Sequence, residues 1–76
     1  MAFNYNKLRG RIKEVYGTQA AFASAMGISS TSLSCKLNNI VEFSQTEIDK
    51  ACILLGIAKE DIPTYFFTLE VQEVEQ

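Results

Sequence analysis

At 76 residues with 47% apolar side chains, the chain is one domain long and has enough apolar groups to fold around a core, which argues against intrinsic disorder. Its net charge of −2 is the wrong sign for a protein drawn to a polyanion, and so small a core gives marginal stability that a partner subunit would raise. Histidine is absent and Cys35 and Cys52 are not spaced as a C-x-x-C pair, so no zinc site, no disulfide framework and no cofactor are expected.

The first element is a helix. Tyr5, Leu8, Ile12 and Val15 or Tyr16 recur at helical spacing, Asn4 or Asn6 can cap the start, and Gly17 lies just past the end. Thr18 can cap a second helix, in which Phe22 and Met26 fall four apart on one face. Ala23 has a methyl group where a neighbouring helix must cross closely, and Gly27 stands where the chain must turn back through a left-handed conformation. Ile28 plugs that turn and Ser29 can cap a third helix, whose inward stripe is Leu33 and Leu37. Its other face carries Ser30, Thr31, Ser34, Cys35 and Asn38, which are short and mostly polar.

Asn39 to Glu42 reads as a loop. After it, Ser44 and Glu47 form an S-x-x-E capping box, with Phe43 and Ile48 as a hydrophobic staple across it. The helix so started runs from Gln45 to Leu55, buries Ile48, Ala51, Cys52 and Leu55, and ends at Gly56. A short helical turn from Lys59 to Ile62 stops at Pro63. Then the period changes: Phe67, Leu69 and Val71 alternate with Thr68, Glu70 and Gln72, the pattern of a strand with no partner inside the chain. Three adjacent aromatics, Tyr65, Phe66 and Phe67, should cover a core or an interface.

Charge is unevenly spread. Through Ile40 the cations Lys7, Arg9, Arg11, Lys13 and Lys36 face Glu14 alone, a balance of +4; from Val41 onward the balance is −6. A dipolar chain of this kind would approach DNA basic side first.

The segment TQAAFASAMGISSTSLSCKLN resembles the helix-turn-helix of the phage repressor and Cro family, the lambda-repressor-like domains. FSQTEIDKACILLGI and KEDIPTYFF resemble the fourth and fifth helices of small phage and prophage Cro-like regulators, so the likeness spans roughly residues 4 to 67. It implies an all-α, compact five-helix domain over residues 1–67 with a central helix-turn-helix, followed by a short acidic extended segment or tail at 68–76. It also implies a homodimer on a pseudo-palindromic operator in double-stranded DNA, with half-sites about one helical turn apart.

In that arrangement the third helix, Ser29–Asn38, lies in the major groove, and Ser30, Thr31 and Ser34 reach base edges while Cys35 meets a thymine methyl. Hydroxyls stand where the family usually offers Gln, Asn or Arg, so direct readout should be weak. Phosphates would be met by the start of the second helix at Thr18 and Gln19, by Lys36, Asn38 and Asn39, and by Arg9 and Arg11 on the first helix. Glu42 departs from the pattern, since the loop after the reading helix often carries a cation. Tyr65, Phe66, Phe67, Leu69 and Val71 would form the dimer interface, the last two pairing as strands across the two-fold axis.

The function expected is sequence-specific transcriptional regulation of the phage Cro or repressor type. The rival is a protein-binding adaptor or antirepressor that keeps the helix-turn-helix scaffold and docks through its acidic surface. Catalysis is not expected, because histidine and any recognisable nucleophile motif are lacking, and no small-molecule substrate is implied. No leader pattern and no apolar stretch of about 18 residues is present, so a cytoplasmic protein of a bacterial host, bound at the nucleoid when on DNA, is expected.

Overall fold

A computed structural model describes residues 2–69. Its helices follow the punctuation of the sequence: α1 is Asn6–Tyr16, α2 Gln19–Met26, α3 Ser30–Leu37, α4 Gln45–Leu55 and α5 Ile62–Phe66, with a 3-10 turn at Lys59–Asp61 leading into α5. The class is all-α, as expected.

At the starts of α1 to α4 a side chain satisfies a free backbone N–H, whereas α5 has no side-chain cap. The Asn4 side-chain oxygen accepts from the Asn6 N–H at 2.8 Å, Thr18 accepts from Ala21 at 3.1 Å, and Ser29 accepts from Ser32 at 3.0 Å. At α4 the capping box closes in both directions, Ser44 taking the Glu47 N–H at 3.1 Å and Glu47 taking the Ser44 N–H at 2.8 Å.

The ends of α1, α2 and α4 are set by glycine. Gly27 has φ 80° and ψ 24°, the left-handed cap that reverses α2 toward α3, and the Ile28 N–H reaches back to the Ala23 carbonyl at 3.0 Å. A Cβ added at Gly27 would meet only the Lys50 ammonium at 3.9 Å, an ordinary contact. The cost of Gly27→Ala is therefore conformational alone, about 1 kcal/mol. A thermal melt followed by circular dichroism should show it as a fall of about 4 to 8 °C.

The apolar stripes meet in one core. Leu8 and Ile12 of α1, Phe22, Ala23 and Met26 of α2, Leu33 and Leu37 of α3, and Ile48, Ala51, Cys52 and Leu55 of α4 are all buried, together with Tyr5, Ile57 and Phe66. α1 packs against α2, α4 and α5, while α2 packs against α3 and α4. Ala23 is 1% exposed, and its small side chain lets two short helices approach each other.

Two details differ from the expectation. Pro63 does not stop a helix; it sits in the first turn of α5, where its missing N–H is not needed and its fixed φ suits the helix. The extended stretch after α5 does have a partner in the chain: Leu69 bridges antiparallel to Phe3, and the Asn4 N–H donates to the Thr68 carbonyl at 2.6 Å. The rings of Phe3 and Phe67 meet edge-on at 5.7 Å beside this bridge. Val71, the third member of the strand pattern, lies outside the described residues.

Candidate functional site

The α2–turn–α3 pair and the loop after it hold the residues expected to contact DNA, apart from Arg9 and Arg11 on α1. α3 turns Leu33 and Leu37 inward and leaves Ser30, Thr31 and its C-terminal cap Asn38 exposed. Ser34 and Cys35 are half-buried, and the Ser34 hydroxyl accepts from the Asn38 side-chain amide at 3.3 Å. Thr18 and Gln19 stand together at the start of α2, Thr18 exposed and Gln19 half-buried, with the Thr18 hydroxyl occupied as the helix cap.

The cations are placed differently from the expected phosphate footprint. The side chain of Lys36 is only 8% exposed, and its ammonium lies 3.2 Å from a Glu47 carboxylate oxygen and 3.4 Å from the Glu42 carbonyl. A phosphate contact from Lys36 is thereby corrected: the charge is spent on joining α3 to the start of α4. Burial pushes the Glu47 carboxyl up, but the Ser44 N–H, the Lys36 ammonium and the Ser44 hydroxyl outweigh it and hold it below its ordinary value.

The two arginines close helix ends. Arg9 donates from Nη2 to the Leu37 carbonyl and to the Asn38 side-chain oxygen, both at 2.9 Å, so it and Asn38 satisfy the end of α3. Arg11 donates to the Leu55 carbonyl at the end of α4 and pairs with Glu14, both at 2.9 Å. The Asn39 side-chain amide pairs with the backbone of Phe3, taking its N–H at 2.9 Å and giving to its carbonyl at 3.0 Å, while the residue stays exposed. Lys7 and Lys13 on α1 remain exposed.

The aromatic group also divides. Phe66 is 1% exposed, with its ring edge-on to Phe43 at 5.4 Å, so it belongs to the core and not to a dimer interface. Tyr65 is half-buried, and Phe67 and Leu69 are each 48% exposed. Burial and the nearby Asp49 push the Cys52 thiol up, which keeps it protonated and structural.

Sequence reasoning missed the linking roles of Phe3, Asn39 and Glu47. Asn39 alone carried a signal, since it has φ 64° and asparagine is among the few residues that tolerate that conformation.

Residues 1–69 match a family model described as a protein of unknown function, DUF739. The chain belongs to the DUF739 family. Among solved structures, this DUF739 chain is similar to the modulator of repression (MOR) of the temperate bacteriophage TP901-1 from Lactococcus lactis. The two are 44% identical with a TM-score of 0.79, over 95% of this chain and 97% of that one. No curated protein matches the chain. The likeness thus covers nearly the whole chain and is not confined to the α2–α3 pair. Among the described residues no helix is long and apolar enough to cross a membrane.

Proposed function

We propose that this protein is a phage regulator of the modulator-of-repression type, working in the cytoplasm of a bacterial host, and that it acts by docking on a regulatory protein. A protein that modulates repression must act either on operator DNA or on the repressor that occupies it. The observation that favours the second route is the Lys36–Glu47 pair, which removes the one cation of the third helix from the surface facing a partner. DNA affinity comes mainly from cations that displace counterions from phosphates, and burial of Lys36 takes away the contribution of the third helix to that term. Arg9 and Arg11 are tied to helix ends, and the balance of −6 beyond Ile40 opposes a duplex lying near that half.

A second reading keeps the operator. It is favoured by the resemblance of α2–α3 to the repressor and Cro helix-turn-helix and by exposed Ser30 and Thr31 at the start of α3. In that reading Ser34 and Cys35 add base contacts, Thr18 and Gln19 hold a phosphate, and a homodimer forms through Tyr65, Phe67 and Leu69. Neither reading needs a cofactor or an enzymatic step.

Selection of bound duplexes from a random DNA pool at two salt concentrations separates them. The docking reading predicts no enriched inverted repeat at either salt. Enrichment of such a repeat, with binding that weakens as salt rises, would establish the operator reading in its place.

A further inference from the structure

The α3–α4 loop exposes apolar side chains on a backbone that is held from every side. Ile40 is 72% exposed and Val41 48%. Their N–H groups both reach the Cys35 carbonyl, at 2.9 and 3.3 Å. The Asn39 amide pairs in both directions with the backbone of Phe3, Arg9 secures the Leu37 carbonyl and the Asn38 side chain, and the Lys36 ammonium holds the Glu42 carbonyl. Asn39 itself sits at φ 64°, a conformation that side-chain-bearing residues seldom adopt unless surrounding bonds fix it.

A connection that served only to join two helices would need neither these clamps nor an apolar tip. Loops are ordinarily polar and mobile, and an exposed isoleucine on a fixed loop forgoes the burial that would stabilise it. Ordering before binding lowers the entropy lost on docking, and β-branched side chains, with few rotamers, lower it further. Next to this tip stands the exposed Glu42, whose carboxylate disfavours a phosphate backbone and favours a cation.

We propose that Ile40 and Val41 form a preformed docking prong that enters an apolar pocket on a partner protein, with Glu42 meeting a cation on the rim of that pocket. The proposal rests on the docking reading above and names the surface that performs it: the partner is the repressor of the same phage.

The test is calorimetric titration of the wild-type protein, Ile40→Asp and Asn39→Gly against that repressor, with a melt of each variant and sedimentation of the protein alone. Ile40→Asp should keep the wild-type melt, because the side chain lies outside the core, and should weaken repressor binding about thirtyfold, the scale of a central anchor residue. Asn39→Gly tolerates the backbone conformation and leaves the prong's side chains in place, but frees the loop, and should weaken binding about three- to tenfold. Repressor binding by Ile40→Asp as tight as wild type would overturn the prong and leave the docking reading standing. No binding by the wild-type protein would overturn both. Loss of a dimer of this chain in Ile40→Asp, at unchanged repressor affinity, would assign the prong to a second copy and overturn the proposal. Asn39→Gly binding as tightly as wild type would overturn the preformed character of the loop.

Discussion

Phe66→Ala is expected to lower stability by about 3 to 5 kcal/mol, the range for removing a buried aromatic ring. A domain of this length holds roughly 4 to 11 kcal/mol in all, so one side chain carries a large share of it. The dependence is structural. α5 has five residues, too few to be stable alone, and Phe66 is the only residue of the helix that is fully buried. Its ring meets Phe43 edge-on at 5.4 Å, and Phe43 meets Tyr5 at 5.5 Å, so the same stack joins α5, the start of α4 and the entry to α1. Without it the bridge between Phe3 and Leu69 loses its support as well. Urea unfolding followed by circular dichroism measures the loss, with Phe67→Ala as the comparison. Phe67 is 48% exposed and its edge contact with Phe3 is worth about 1 kcal/mol. An interface role for Phe66 would instead leave the monomer stable and change its association.

Lys36→Ala is expected to cost about 2 kcal/mol. Removing one partner of a buried ion pair costs roughly 3 to 5 kcal/mol, and the figure is reduced here because the Glu47 side chain is 25% exposed and partly served by water. Glu47 also keeps its bond from the Ser44 N–H, so the capping box survives in the variant. The loss depends on pH in a definite direction. Because the folded protein holds the Glu47 carboxyl below its ordinary 4.5, the pair's contribution is fully present above that value and disappears as pH falls through the lower, folded value. The gap between wild type and Lys36→Ala should therefore be widest near neutrality and shrink below about pH 4.5. Melts across that range check it. A phosphate-binding lysine would behave otherwise: its removal would leave the melt unchanged and reduce DNA affinity for all sequences.

What could be read from residue order was what depends on neighbours three or four positions apart. The S-x-x-E box at Ser44 and Glu47, the caps at Thr18 and Ser29 and the left-handed Gly27 are local devices, and the structure forms each at the expected place. The inward stripes of α1 to α4 follow from helical spacing in the same way. Contacts that close across the fold were not legible. Lys36 and Glu47 are separated by a loop, so nothing local marks the pair that removes a cation from the surface. Phe3 lies at the far end of the chain from Leu69, which is why the extended stretch looked unpartnered. Tyr65, Phe66 and Phe67 are adjacent, and only the direction in which α5 lies on the core decides that Phe66 is the one buried. Pro63 can end one helix or begin the next, and the choice rests on where the following aromatic docks.

The candidate site divides along the same line. Exposure of Ser30 and Thr31 follows from the helix period, whereas the fate of each cation depends on which carbonyl or carboxylate the fold brings to it. Net charge by half-chain therefore overstated the positive surface available to DNA.

Action on a repressor, and not on its operator, can be read by titrating this protein into labelled operator DNA with and without the repressor bound, and following anisotropy at low salt. Naked operator should show no change, and the repressor–operator complex a dose-dependent change that tracks complex formation between the two proteins. Tight, salt-sensitive binding to the naked operator, with no association between the proteins, would contradict it.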